Sequence, residues 1–376
     1  MPGITPRERL LTTLRGGTAD RVPLVLEGAG RVSRSHVDAV KDAAWREICQ
    51  RVYDQTHCVR SCNTGVNRYL VTPSRFMQEV SRVERDGEVR VTTEIETPKG
   101  PLTAVTACRK GVQTTWTIKY PVESLADIDK ICSIPWEISD GVGPPDLSDL
   151  PDDFDKRGII HAGISSPFVC VAGMMPYDYF LELCATEFVL IQELTVQCLE
   201  RIVDLLDVVL APRTVEYVWL GGSEWLTVPM ASPRLYDELV QEFEKPVIDR
   251  IHAAGALAHV HCHGNVRSTL ERVIERGGDF LEPMEPPPDG DVTMAEAKAI
   301  AAGRITLGGN VEARILENEG PAAAEAAARA AFEGGKEQMV FQTTAGPLSS
   351  IAPRTHENYH RIIDVWEALS PLDHAP

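Results

Sequence analysis

In the second half of the chain, the stretch LAHVHCHGN at 257–265 carries His259, His261 and His263 at a spacing of two, with Cys262 between the last pair. Successive side chains of a strand point to opposite faces, so the three imidazoles share one face and the thiol takes the other. Imidazoles at this spacing, delivered to the C-terminal end of a strand, reach one metal ion, and neutral imidazole is the commonest transition-metal ligand. The plainer alternative is a core strand that ends in polar residues, with each His bonded to a backbone carbonyl. Cys262 reads as a packed thiol, since free cysteine behaves as a small buried hydrophobe.

Those side chains need a scaffold, and the surrounding pattern supplies one. From about residue 157, short buried runs (GIIHAGISSP, EYVWLGGSEW, LAHVHCHG, DFLEPME, RITLGGNVEA, MVFQTTAGP) alternate with helical stretches. Helices are read near Tyr177, over 187–210, over 232–255, over 266–277, after Pro321, and in the closing THENYHRIIDVWEAL. Such alternation implies βα units on a parallel sheet. With DRVPLVL as a first strand, about eight strands predict an α/β fold, a (β/α)8 TIM barrel with an N-terminal extension. Residues 36–55 read as one helix, and 79–122, with period-two patterning and Asp-Gly and Lys-Gly turns, as an inserted small antiparallel β segment. The chain reads as a single domain over 1–376. No GxGxxG or GxxxxGK[ST] opens a helix, which removes the usual reason to expect an open nucleotide-binding sheet.

Barrel active sites lie at the C-terminal ends of the strands. The polar residues expected there are Glu27 and Arg31 after the first strand, Glu224 after WLGG, His261 and His263, Glu282 and Glu285 in LEPME, Asn310 and Glu312 in GGNVE, and Gln342, Thr343 and Thr344 in the last strand. His261, His263 and Glu224 form the simplest metal set: two His and a carboxylate with an open position is a catalytic zinc pattern, and its lack of thiolate leaves a harder Lewis acid. Glu282 and Glu285 stand as alternatives for the third ligand or a general acid. Glu224, Glu285 and Asn310 are the candidate catalytic residues; Glu27, Arg31, Glu282, Gln342 and Thr344 are the candidate substrate contacts.

The formal charge of −18, from 37 basic and 55 acidic residues, repels nucleic acid and anionic lipid. No apolar run approaches the roughly 20 residues that span a bilayer. The N-terminal MPGITPRERLLTTLRGG lacks a signal-peptide core, and nine scattered cysteines without a CxxC pair fit reduced thiols, so a cytoplasmic protein is expected.

DRVPL, TPKGPL before TTW, KYPVES, SPRLYDELV, IHAAG, HVHCHGNV, LGGNV and APRTHENYHRII together resemble the uroporphyrinogen decarboxylase superfamily, which includes zinc- and corrinoid-dependent methyltransferases. The resemblance implies a TIM barrel with its site at the C-terminal mouth, and a homodimer. Decarboxylase members carry an RQAGRY-like motif at the first strand; here it reads EGAGRV, with Arg31 kept and Glu27 in place of the first arginine. A carboxylate there repels a polycarboxylate substrate, which argues against porphyrinogen decarboxylation. The methyltransferase branch shows HxCG and a late Cys as zinc ligands; here His263 replaces the Cys of the first motif and Thr343-Thr344-Ala345-Gly346 replaces the second. A thiolate-free zinc suits a substrate that offers an oxygen. The expected activity is therefore methyl transfer between a small methylated substrate, such as a methyl ether undergoing O-demethylation, and a corrinoid (cobalamin) on a partner protein. Two alternatives stand beside it: a decarboxylase or lyase anchoring a small acid on Arg31, and a non-catalytic barrel that binds a tetrapyrrole or corrinoid.

Overall fold

The computed structural model describes residues 4–110, 112, 114–347 and 350–372. Its strands, in chain order, are β1 (Leu24–Val25), β2 (Cys58–Ser61), β3 (Met77–Arg85), β4 (Glu88–Ile95), β5 (Leu102–Arg109), β6 (Thr115–Lys119), β7 (Gly158–Ser165), β8 (Tyr217–Gly221), β9 (Leu257–His261), β10 (Phe280–Glu282), β11 (Thr306–Val311) and β12 (Met339–Thr343). Eight of them form one sheet in the order β1-β12-β11-β10-β9-β8-β7-β2, every pair parallel. The sheet curls into the expected TIM-type barrel.

Its two end strands, β1 and β2, are neighbours without a ladder between them. Side chains close the seam instead. Thr56 Oγ1 donates to Leu24 O at 2.9 Å, and Arg157 donates to Arg31 O at 3.0 Å. A Cβ at Gly30 would stand 2.5 Å from His57 O, so only glycine lets the two segments approach this closely.

The strand alternation read from the sequence is visible in burial. In β9, Ala258 and Val260 face outward into the helical layer and are fully buried, as is Cys262 just beyond the strand. In β8, Val218 and Leu220 do the same. The opposite faces line the barrel interior. Its lower part is apolar: Ile159, Tyr217, Phe280 and Val340 pack with Leu10, Leu11 and Leu14 of the helix Pro6–Leu14. That helix starts at a capping box, with Thr5 and Glu8 satisfying each other's backbone N–H groups, and its leucines plug the floor of the barrel.

The inserted segment is a four-stranded antiparallel sheet, β3-β4-β5-β6. It turns at Asp86-Gly87, where both residues have positive φ; Gly111 of the second Lys-Gly turn lies outside the described residues. Ile95, Leu102 and other buried side chains join this sheet to the main core.

Two local expectations need correction. The predicted helix over 36–55 is two helices, Arg34–Asp38 and Ala43–Val52, because Asp42 caps the second through Trp45 N. The helix over 232–255 contains a π-helical turn, Asp237–Gln241, before it ends at Gly255. After β7 comes a short buried helix, Pro167–Ala172, ahead of the helix that begins at Tyr177.

Candidate active site

The register of β9 and β10 sets His261 opposite Glu282 and His259 opposite Phe280. The Glu282 carboxylate, 6 % exposed, thereby becomes the centre of a clamp. Its Oε1 meets His261 Nδ1 at 2.6 Å and His259 Nε2 at 2.9 Å, while its Oε2 accepts from Gln342 Nε2 at 2.8 Å. Burial alone would raise this carboxyl, but the His261 charge and the two imidazole hydrogen bonds outweigh it and hold Glu282 well below the usual carboxylate range. His261 is correspondingly raised: burial opposes its charge, and Glu282 more than offsets that. Gly308 makes the space, since a Cβ there would stand 2.5 Å from Glu282 Cβ and 2.7 Å from Gln342 Oε1.

One step further out, His263 Nδ1 lies 3.0 Å from Glu285 Oε1, and the other Glu285 oxygen accepts from Gly264 N. The His261 and His263 rings meet edge to face with centroids 4.5 Å apart. Beside them, Asn310 Nδ2 donates to Glu312 Oε1 at 2.6 Å, and the Thr344 hydroxyl lies 3.0 Å from Glu312 Oε2 and 3.2 Å from Asn310 Oδ1. Glu312, 5 % exposed, is pushed up to about 7 by burial and by the charge of Glu285. Asn310 thus belongs to a carboxyl-holding network with Thr344, one layer behind the imidazoles.

A cavity of about 700 Å³ runs from the plug leucines to this mouth. Glu27 enters it from the end of β1, solvent-accessible yet surrounded by protein; burial and the Glu282 charge push its carboxyl up to about 7, against the influence of His261. Glu282, His261, Gln342 and Thr344 also line it. Arg31, expected as a substrate contact, does not: its guanidinium interacts with the Cys49 thiol behind β1, and its carbonyl is tied to Arg157. β1 is two residues long, and a turn from Leu26 O to Ala29 N follows, so strand alternation no longer aims the side chain at 31.

The structure adds residues that sequence reasoning missed. His57, His161, Tyr217 and Trp219 line the same cavity. His161 Nε2 pairs with Ser61 Oγ at 2.9 Å, and His161 and Tyr217 stack at 5.5 Å. Burial lowers both new histidines, His57 to about 3, so they enter as neutral rings. The signal was present: Tyr217 and Trp219 alternate within YVWLG, and His161 interrupts an otherwise apolar strand.

The proposed metal donors are brought to one mouth but not closed on one point. His261, His263 and Glu224 do not place three ligand atoms within 4.8 Å of one another; among the described residues only Glu47, His356 and His360 do so. Their chemistry nevertheless suits an ion. Each imidazole directs Nδ1 to a carboxylate, and Nε2 has no hydrogen-bond partner among the described residues, the arrangement that orients metal-bound histidines. Glu224 Oε2 is buried and unpartnered, and the Glu224 charge acts on His261. Cys262 is turned away, its thiol raised by burial.

Comparison with known proteins places these features in a lineage. No curated protein matches the sequence. Among solved structures, a methyltransferase from Methanosarcina mazei is 15% identical, with a TM-score of 0.59 over 97% of this chain and 99% of that one. A B12-independent methionine synthase from Shewanella sp. W3-18-1 is 9% identical with a TM-score of 0.40, over 78% of this chain and 75% of its own. The family model for uroporphyrinogen decarboxylase (URO-D) matches residues 149–364, more than half of the chain and six of its eight barrel strands. The chain belongs to the uroporphyrinogen decarboxylase family.

Proposed function

We propose that this protein is a methyltransferase that moves a methyl group between a small methylated substrate, a methyl ether in the first instance, and a corrinoid carried by a partner protein. The observation that carries this reading is the pair of carboxylate–imidazole couples at the mouth, Glu282–His261 and Glu285–His263, each with Nε2 unpartnered among the described residues. His261, His263 and Glu224 would hold zinc, the Glu224 carboxylate rotating to join the imidazoles. The likeness in fold to a methyltransferase along the whole chain supports the same reading.

The substrate class follows from the cavity. Its volume suits a small molecule. Among the described residues its lining holds Glu27 and Glu282 but no Arg or Lys, which favours a neutral substrate over a polycarboxylate. This also weighs against the carboxy-lyase alternative, whose anchor Arg31 faces elsewhere. Tyr217, Trp219 and Phe280 provide aromatic walls for an apolar body.

When bound, a reduced corrinoid would supply the electron pair that takes the methyl carbon, and zinc held by His261, His263 and Glu224 would supply a Lewis acid for the oxygen that keeps the electrons of the broken C–O bond. The chain's own residues do the rest. Glu282 and Glu285 fix the orientation and tautomer of the two imidazoles. Glu27, poised near neutrality inside the cavity, gives its proton to the departing oxygen and regains it from solvent. Gln342 holds Glu282 in place, and Asn310 and Thr344 hold Glu312.

The test is a corrinoid methylation assay with methyl ethers as donors, run alongside elemental analysis. Zinc-loaded protein is expected to methylate the reduced corrinoid, and a chelator or His261→Ala and His263→Ala should abolish both zinc at the mouth and turnover. Full turnover after complete metal removal would refute the metal-dependent mechanism.

A further inference from the structure

A second cluster of donors stands on the outer surface. The C-terminal helix Pro353–Leu369 carries His356 and His360 four residues apart, so both imidazoles lie on one face. The helix Ala43–Val52 packs against it and brings Glu47 to the same place. The two Nε2 atoms are 3.1 Å apart; Glu47 Oε2 is 3.2 Å from His356 Nε2, and Oε1 is 3.7 Å from His360 Nε2. Ligands about 2.0–2.2 Å from a tetrahedral zinc stand roughly 3.3 Å from one another. The three residues thus bring one donor atom each to within 4.8 Å of one another, so that a small closing movement of the exposed Glu47 carboxylate would complete three corners of such a site.

We infer that Glu47, His356 and His360 form a surface site for a divalent transition ion, zinc by ligand type, separate from the barrel mouth. The competing account is a hydrogen bond between the imidazoles with Glu47 as a loose counter-ion. That account brings two nitrogens together without needing the carboxylate to face both. Arg51 is compatible with the ion. Its Nη1 lies 2.9 Å from His360 Nδ1 but also 3.2 Å from the His360 carbonyl, so a proton on Nδ1 leaves the guanidinium a partner. Its Nη2 is held by Asp364 at 2.6 Å and Glu367 at 3.1 Å. Neutral imidazoles and one carboxylate suit zinc better than a hard cation such as magnesium.

The position gives the site a role. One helix follows β1 and the other follows β12, so the ion fastens together the helices flanking β1, the strand whose other edge lacks a ladder. Binding there strengthens the barrel beside its seam.

The full chain is titrated with zinc chloride against a chromophoric chelator, and its melting is followed with and without zinc. Zinc in about hundredfold excess over Kd should raise Tm by about 3 °C through this site. Glu47→Gln and the double variant His356→Ala, His360→Ala should each lose one bound zinc per chain and that rise; the His261→Ala, His263→Ala variant should keep both, and magnesium should produce neither. Circular dichroism verifies that the surface variants are folded. An unchanged zinc count and Tm rise in the His356, His360 double variant would overturn the assignment, whatever happens at the barrel mouth.

Discussion

On the β9–β10 side of the mouth, Glu282 lies between two imidazoles and Gln342 and stays ionised; on the β1 and β11 side, Glu27 and Glu312 face other carboxylates and keep their protons up to about pH 7. The same functional group, borne within a run of four adjacent strands of one ring, is thus tuned in opposite directions. Burial raises all three carboxyls; what separates them is whether a neighbour offers positive charge or more negative charge. The signs of their pH effects differ accordingly. Glu282, with its folded value depressed, contributes stability above the ordinary carboxylate range and loses it as pH falls through the folded value. Glu312, with its folded value raised, costs nothing in acid and destabilises the fold progressively as pH rises from about 4.5 to about 7.

The strongest way to break this contrast is to remove its charged centre. Glu282→Ala leaves two half-buried imidazoles and the buried Gln342 without their acceptor and should cost about 3–5 kcal/mol in urea denaturation at pH 7; a stability equal to the parent's would mean that the clamp contributes nothing. Gly308→Ala attacks the same clamp sterically, with a Cβ 2.5 Å from Glu282 Cβ. It should cost about 1–3 kcal/mol, with little of the loss recovered at any pH. Glu312→Gln sharpens the other side. It should stabilise the protein by about 1–2 kcal/mol at pH 8 and by almost nothing at about pH 4, and a gain of equal size at both would show that charge is not the cause. The smallest effect on the fold is expected from Glu27→Gln, which is open to solvent in the cavity. Its signature is kinetic: the limb of the rate–pH profile near pH 7 disappears while the melting curve stays in place.

Much of this was legible in the sequence because β-strand alternation is a hard geometric rule. It sent His259 and His261 inward and Cys262 outward, and β9 and β10 are paired in register along that stretch. The rule fails where a strand stops. Arg31 lies six residues past Val25, beyond a turn, and its direction is decided by packing against Cys49 and Arg157. His161 and Tyr217 were missed for a different reason. They look like core residues locally, and only closure of the sheet brings β7 and β8 round to face the same interior as β9. The protonation of Glu27 was equally hidden, since it depends on Glu282, a residue distant in sequence.

The floor of the cavity belongs to none of the strands. Leu10 and Leu14 reach up from the helix Pro6–Leu14, which stoppers the cylinder from below, whereas Glu27, His261, His263, Glu282, Glu285 and Glu312 at the mouth are mounted on the strands or the loops that follow them. The length of molecule this protein can accommodate is therefore adjustable independently of its reactive groups. Trimming one leucine deepens the well and enlarging it makes the well shallower, so chains sharing this mouth can diverge in the size of what they admit while keeping its chemistry.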